Sequence, residues 1–167
     1  MSVFKVGLDK LGSELLKEFA NELINQGHKA TGALISSLRK DILFAPSSYR
    51  LVFYANDYGM FLETGRRAGK HVPIAPLMRW VATKGLASTN KEVRSIAYAI
   101  SKTIAKEGIP TRGSHKFSKN GRRTLWITAT IRNNRAKIAN AIRSSFKEDI
   151  EVNMRNIIRE TNNKLRT

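Results

Sequence analysis

The sequence predicts an α+β fold in which a small antiparallel sheet packs against several amphipathic helices, the last of them long. Apolar residues recur at spacings of three and four over several segments, which is typical of helices with one buried face. Two β-branched and aromatic runs flank a proline and two serines, which is typical of a hairpin. The chain has 167 residues, 41% of them hydrophobic. We therefore expect one domain with a substantial core over 1–167.

The first predicted helix covers 8–26 and ends at Gly27, a residue type that favours helix C-termini. Its apolar stripe comprises Leu8, Leu11, Leu15, Phe19 and Leu23. A short helix follows with Thr31 as its N-cap. Three of its residues are expected to face the core: Ala33, Leu34 and Leu38.

A hairpin is predicted from strands 41–44 and 49–54, joined by the turn 45–48. The pair Asn56-Asp57 then caps a short helix over 58–64, which Gly65 ends.

Two further helices follow. The first opens at 73–76, where proline suits a first turn, and ends at Gly85. Its inward face comprises Leu77, Trp80 and Val81. Thr89 and Glu92 have the spacing of a capping box and open a helix that runs to Gly108. Its apolar face comprises Val93, Ile96, Ala97, Ile100 and Ile104.

The remaining segments combine a loop, a strand and a long helix. Residues 111–123 are expected to form an exposed loop or the tip of a long hairpin. The run 124–131, TLWITATI, has the strongest strand propensity of the chain. Asn133 is the expected cap of a last helical region, one long helix or two nearly in line. Its stripe comprises Ile138, Ile142, Phe146, Ile150, Met154, Ile157, Thr161 and Leu165. Residues 149–154 also alternate as a strand would, so both structures stay open there.

Positive charge is concentrated in the middle of the chain, whose formal net charge is +17. Residues 1–63 carry 7 Lys/Arg and 7 Asp/Glu, whereas residues 64–146 carry 18 and 2. Residues 147–167 carry 5 and 4. This concentration predicts a polyanionic or strongly acidic protein partner, and a solvated basic surface is the simpler alternative.

Eight cations in two clusters are the candidate contacts to such a partner. They are Arg66, Arg67 and Lys70 in the first cluster, and Arg112, Lys116, Lys119, Arg122 and Arg123 in the second. Cations on a loop suffice for phosphate contact, so any DNA binding is expected to be non-specific.

No motif predicts catalysis, a cofactor or a metal. The loop 65–70 differs from a P-loop, because three residues separate its glycines and His71 follows its lysine. Asp57 and Glu63 are six residues apart on a short helix and face different sides. The three histidines lack metal-ligand spacing, and the chain has no cysteine. We therefore predict a protein that is not an enzyme and has no catalytic, cofactor-binding or metal-binding residues.

The run 54–65 resembles the signature of a family of bacteriophage morphogenesis proteins, the neck or tail-completion proteins of tailed double-stranded DNA phages. The matching positions are Tyr54, Ala55, Tyr58, Phe61, Glu63 and Gly65. Further matches occur in the family's order at 31–34 (TGAL), at 76–81 (PLMRWV, with Trp80) and at 106–110 (KEGIP). The resemblance covers about residues 8–110, and 111–123 departs from the family's proline-containing block.

The resemblance implies a structural virion protein at the phage neck or tail, made in the host cytoplasm and not bound to a membrane. Its partners would be the head–tail connector, the tail terminator or the tail tube, in a ring of six-fold or twelve-fold symmetry through which DNA passes. It implies that Tyr54, Tyr58 and Phe61 are core aromatics. Glu63 would be a capping or intersubunit salt-bridge residue, and Gly65 a turn residue. The alternative is a free protein that binds nucleic acid non-specifically.

Overall fold

The computed structural model describes residues 2–29, 31–45 and 48–165, and it confirms the α+β prediction. In chain order the elements are α1 (Val3–Asn25), α2 (Ala33–Ser37), β1 (Arg39–Ala45), β2 (Ser48–Tyr54), α3 (Gly59–Thr64), α4 (Ile74–Thr83), α5 (Asn90–Glu107), a 3-10 helix (Arg112–Phe117), α6 (Trp126–Asn133) and α7 (Arg135–Lys164).

The predicted hairpin is confirmed. Strands β1 and β2 pair antiparallel, with Arg39 opposite Tyr54 and Ala45 opposite Ser48. The turn residues Pro46 and Ser47 lie outside the described residues.

Contacts divide the chain into two compact units, so the prediction of a single domain stays a prediction. The first unit comprises Met1–Glu18, Arg39–Tyr54 and Thr130–Thr167. In it the hairpin lies directly on α1 at Gly12. A Cβ built there would be 2.6 Å from the Lys40 side chain and 2.8 Å from Leu51. The predicted stripe residues Leu8, Leu11 and Leu15 are buried in this unit.

Helix α7 runs antiparallel to the start of α1 within the first unit. Lys137 forms an ion pair of 3.1 Å with Glu14. Ser145 lies so close to Gly7 that a Cβ on that glycine would meet its hydroxyl at 1.9 Å. The hydroxyl of Ser2 donates to the Asp149 carboxylate over 2.9 Å.

The second unit comprises Phe19–Leu38 and Ala55–Ala129. Its core is centred on α4 and α5, where Val81 and Ala97 are completely buried and Val93 is nearly so. The Thr89–Glu92 capping box opens α5 as predicted, with the Thr89 hydroxyl accepting from the Glu92 amide. The stripe residues Phe19 and Leu23 are also buried.

The predicted strand 124–131 is wrong, because most of it forms the helix α6. The Glu63 carboxylate accepts hydrogen bonds from the backbone amides of Ile127 and Thr128, at 2.6 and 3.2 Å, and so caps the first turn. The indole of Trp126 is buried and donates to the Gly59 carbonyl over 2.9 Å. These contacts outside the segment override its strand propensity.

Three smaller predictions are also wrong. Ala33 is exposed, while Leu34 beside it is buried. Helix α3 begins at Gly59, and its N-cap residue Tyr58 makes no side-chain cap, so the predicted cap by Asn56-Asp57 is not formed. The side-chain amide nitrogen of Asn56 donates to the Ala33 carbonyl instead. The residue before α7 is Asn134 rather than Asn133, because α6 continues through Asn133.

Residues 149–154 belong to α7, which excludes the strand alternative.

Candidate functional site

The two basic clusters lie next to each other in the second unit. The amide of Arg66 donates to the Ile109 carbonyl over 2.9 Å, and the amide of Ile109 donates back to the Arg66 carbonyl over 2.8 Å. This isolated antiparallel bridge joins the loop after α3 to the segment after α5. Sequence reasoning treated the two clusters separately, because no local pattern indicates a pair of residues 43 positions apart.

Two glycines make the bridge possible. Gly65 has φ 74° and Gly108 has φ 82°, a region that residues with a Cβ rarely occupy. A Cβ at Gly65 would lie 2.4 Å from the Ile109 carbonyl oxygen, and one at Gly108 would lie 2.3 Å from the Arg66 carbonyl oxygen. The predicted turn role of Gly65 is thus confirmed.

The loop that carries the first cluster is held in place by hydrogen bonds. Arg66 is half-buried as a residue, and its guanidinium donates to the carbonyls of Lys70 and His71, at 3.2 and 3.4 Å. The amide of Gly69 donates to the Ala105 carbonyl on α5 over 2.8 Å. The side chains of Arg67 and Lys70 are exposed beside this anchored backbone.

The second cluster is an exposed segment, as predicted, but it contains a 3-10 helix and no hairpin. The Glu107 carboxylate accepts from the Arg112 amide over 2.9 Å at its start. The Lys119 amide donates to the Asn25 carbonyl over 2.7 Å, and the Asn120 side chain donates to Glu22 over 3.0 Å. These bonds position the backbone and leave four cations exposed: Arg112, Lys116, Lys119 and Arg122.

Arg123 holds the segment in place and is not exposed with the other cations. Its guanidinium donates to the Gln26 carbonyl, and burial lowers its pKa. The backbone carbonyl of Arg123 contacts the His28 ring at 3.1 Å. Burial, with the neighbouring Arg123 cation, lowers the pKa of His28 to about 4, so this imidazole is neutral at pH 7. Sequence reasoning missed this pair, since His28 and Arg123 are 95 residues apart.

The remaining cations define what we call the basic surface: Arg66, Arg67, Lys70, Arg112, Lys116, Lys119 and Arg122. Residues 64–146 contain two acids, Glu92 and Glu107, and both are engaged at helix ends. Within residues 2–29, 31–45 and 48–165, no ion pair involves a member of the basic surface. The surface therefore presents positive charge that the described part of the chain does not neutralise.

The signature aromatics are at the surface, so the expectation that they form the core is wrong. Tyr54, Tyr58 and Phe61 are 38%, 44% and 61% exposed. The prediction that Trp80 lies on the inward face of α4 is also wrong, since Trp80 is 41% exposed. Tyr54 is stacked under the Arg39 guanidinium at 4.8 Å. The buried aromatic beside α3 is Trp126, which the sequence placed in a strand.

Tyr58 and Trp80 also line an open cavity of about 230 Å³ in the second unit. Leu34 and Leu62 supply apolar walls, and Lys84 lies at the lining with its amine donating to the Lys29 carbonyl. The signature thus contributes aromatic surface to a concave site.

Glu63 has the capping role that the resemblance implied as one of two possibilities. Its side chain is buried, and its carboxylate accepts from two amides and from the Thr128 hydroxyl. These three hydrogen bonds all come from the first turn of α6, so the carboxylate stabilises the start of that helix.

The described residues contain no group of three or more His, Cys, Asp or Glu placed to hold a metal ion. The two histidines outside the second cluster each have a hydrogen-bond partner within the protein. His28 contacts the Arg123 carbonyl, and His71 contacts the Ser101 hydroxyl. A search of the described helices for one long and apolar enough to span a bilayer finds none.

Comparison of the chain with family models, curated proteins and solved structures found no match.

Proposed function

We propose that this chain is a structural virion protein of a tailed bacteriophage, acting in head–tail joining or tail completion as part of a ring at the neck. The order of motifs between residues 31 and 110 supports this proposal through their resemblance to phage neck proteins. The protein performs no catalysis in this role; its partners are copies of itself and the connector, tail terminator or tail tube.

The observation that carries the proposal is the exposure of the signature side chains. Tyr58, Met60 and Phe61 on α3 are 44%, 55% and 61% exposed. Exposed apolar patches mark sites of protein–protein contact, and aromatic and methionine side chains are enriched there. A signature that contributes surface rather than core fits a protein whose role is assembly.

The basic surface supports an additional contact. We propose that it meets an acidic surface of a neighbouring neck protein, because such contact gives orientation and specificity during assembly.

Non-specific nucleic-acid binding is the second candidate function. The cations of both clusters, which form no ion pair with the described residues, favour it, because exposed Lys and Arg suffice for phosphate contact. In a neck ring the same cations would contact passing DNA without reading its sequence.

The test removes the gene from the phage that encodes it and restores variants from a plasmid. Electron microscopy of the deletion lysate should show separate heads and tails, and the wild-type chain should restore joined particles. Phe61→Ser should fail to restore them, since it removes an exposed apolar contact without disturbing the core. Tyr98→Ser is the matched control, because Tyr98 is a comparably exposed aromatic on α5. Complete, infectious particles in the deletion lysate would contradict the proposal and leave nucleic-acid binding as the candidate.

A further inference from the structure

The cavity beside Tyr58 and Trp80 lies wholly within the second unit. Its volume is about 230 Å³, and every residue that lines it belongs to Phe19–Leu38 or Ala55–Ala129. Sites for cofactors and drug-sized molecules usually have volumes of about 300–1,000 Å³. The cavity therefore suits a group of the size of one amino-acid residue rather than a nucleotide or a cofactor.

Two cations, Lys84 and Arg123, line the cavity. The Lys84 amine donates to the Lys29 carbonyl. The Arg123 guanidinium donates to the Gln26 carbonyl, so both cations reach the same stretch of chain. His28 from that stretch also lines the cavity, and its imidazole is neutral at pH 7 because its pKa is about 4. None of the described lining residues is acidic, so this end of the cavity favours an anionic group.

Arg123 also brings a hydrogen-bond donor that the described residues leave unpaired. Its Nε is buried and has no acceptor among them, whereas its Nη1 donates to the Gln26 carbonyl. The Gln26 Oε1 atom is buried without a partner too, but Gln26 does not line the cavity and the two atoms are not bonded to each other. A buried N–H without an acceptor is unfavourable. A carboxylate at this end of the cavity would accept from Arg123 in a charge-assisted hydrogen bond.

The other walls of the cavity are apolar and aromatic. Leu34 and Ile35 come from α2, and Leu62 comes from α3. The rings of Tyr58 and Trp80 complete these walls, and the two residues are 44% and 41% exposed. An apolar side chain that enters the cavity would remove these walls from water, which is favourable.

A cavity of this size that combines cations with apolar walls specifies two parts of one residue. An internal Asp or Glu supplies a carboxylate but little apolar surface, and an internal Leu or Phe supplies no charge. The last residue of a polypeptide carries both an apolar side chain and a free carboxylate on one Cα. The cavity is open, so the chain before that residue can leave across Tyr58 and Phe61, which are three residues apart on α3 and both exposed.

We propose that this cavity binds the C-terminal residue of a partner polypeptide. The terminal carboxylate lies at Lys84 and Arg123, and an apolar side chain packs against the leucine and tryptophan walls. The proposal goes beyond the proposed function, because it assigns a binding site and the chemistry of its ligand. It is tested on the purified chain alone, so its failure is distinct from a failure of the virion role in the deletion lysate.

Nuclear magnetic resonance tests the site with N-acetyl-alanyl-alanyl-leucine as the probe, its C-terminus either free or amidated. The free acid should shift the Trp80 indole signal, which Trp80→Phe identifies, with a dissociation constant of about 1 mM because one residue makes the contact. The amide should bind at least about tenfold more weakly, since it offers the two cations no charge. N-acetyl-alanyl-alanyl-glycine with a free carboxylate should bind about tenfold more weakly than the leucine peptide, because glycine leaves the apolar walls uncovered.

A pair of lysine variants separates this site from the general positive charge of the chain. Lys84→Gln should weaken binding of the free acid by about tenfold and leave binding of the amide unchanged. Lys102→Gln is the matched control, because Lys102 is an exposed lysine of the same unit that does not line the cavity. Both lysines are exposed, so both variants should fold as the wild type does.

Three results would overturn the proposal. They are equal binding of the free acid and the amide, a Trp80 signal that does not move at about 10 mM peptide, and a Lys84→Gln variant that binds the free acid as tightly as Lys102→Gln does.

Discussion

The buried carboxylate of Glu63 receives three hydrogen bonds, two from backbone amides and one from the Thr128 hydroxyl. Its position near the end of a short helix gave no sign of this role in the sequence, because α6 begins more than 60 residues later. The resemblance to phage neck proteins did indicate capping as one possibility.

Glu63→Gln should destabilise the protein by about 1–3 kcal/mol. The amide removes the charge that strengthens the cap, and its NH2 group cannot accept from a backbone amide. Urea unfolding at pH 7 measures the change. Asp57→Asn is the control and should stay within about 0.5 kcal/mol, because Asp57 is exposed and makes no side-chain cap. Equal stability of the two variants would show that the cap contributes nothing.

His28 should make stability depend on pH in a defined window. Its pKa of about 4 in the folded protein lies below the unfolded value of 6.5, so the unfolded chain binds more protons between these values. The stabilising effect of the neutral imidazole is complete above pH 6.5 and is lost as the pH falls towards 4. We expect a loss of about 1–2 kcal/mol, after allowing for partial solvent access.

Urea unfolding at pH 7.0, 5.5 and 4.5 measures this dependence, with His28→Gln as the comparison. The variant should be less stable at pH 7 and should lose less stability between pH 7 and 4.5. A variant whose stability falls as steeply as that of the wild type would assign the pH dependence to other groups.

At the scale of elements, the hairpin and the helices α1, α4 and α5 were predictable because their patterns are local. The stripe from Leu8 to Leu23 and the Thr89–Glu92 capping box each specify a helix within one segment. Helix α6 was not predictable, because the contacts that override its β-branched residues come from Gly59 and Glu63. The basic clusters were visible in the sequence, but their adjacency depends on a long-range bridge.

The bridge between Arg66 and Ile109 should depend on Gly108. Gly108→Ala should destabilise the protein by about 2–4 kcal/mol, because the Cβ meets the Arg66 carbonyl and the backbone has φ 82°. Gly113→Ala is the matched control, since a Cβ there has no heavy atom within 4 Å. It should change stability by less than about 0.5 kcal/mol. Denaturant unfolding with backbone amide exchange at Arg66 and Ile109 would detect loss of the bridge, and full protection in Gly108→Ala would contradict this assignment.

At the scale of the whole molecule, the basic surface should select a protein partner rather than DNA. Replacing Arg112, Lys116, Lys119 and Arg122 with glutamine should abolish binding to purified connector assemblies of the same phage. Thermal stability should barely change, because exposed charges contribute little. The control replaces four exposed cations of the charge-balanced part: Lys5, Lys10, Lys17 and Arg50. This control should still bind the connector.

The same two variants distinguish the DNA-binding alternative. If the basic surface contacts phosphate, its variant should lower the slope of log K against log salt by roughly 0.9 per lost contact relative to the control variant. If it contacts protein, the two variants should have similar slopes. If the two variants bind the connector equally well and their DNA binding depends on salt with the same slope, the basic surface is only solvated.

The central claim is that this chain is a component of the virion neck. Cryo-electron microscopy of particles purified from the phage that encodes it, with bound protein quantified by mass spectrometry, tests this claim most directly. We predict a ring of the chain at the head–tail junction, with Tyr58 and Phe61 at contacts between subunits or with a neighbouring neck protein. Particles that are complete and infectious yet contain no trace of the chain would contradict the claim.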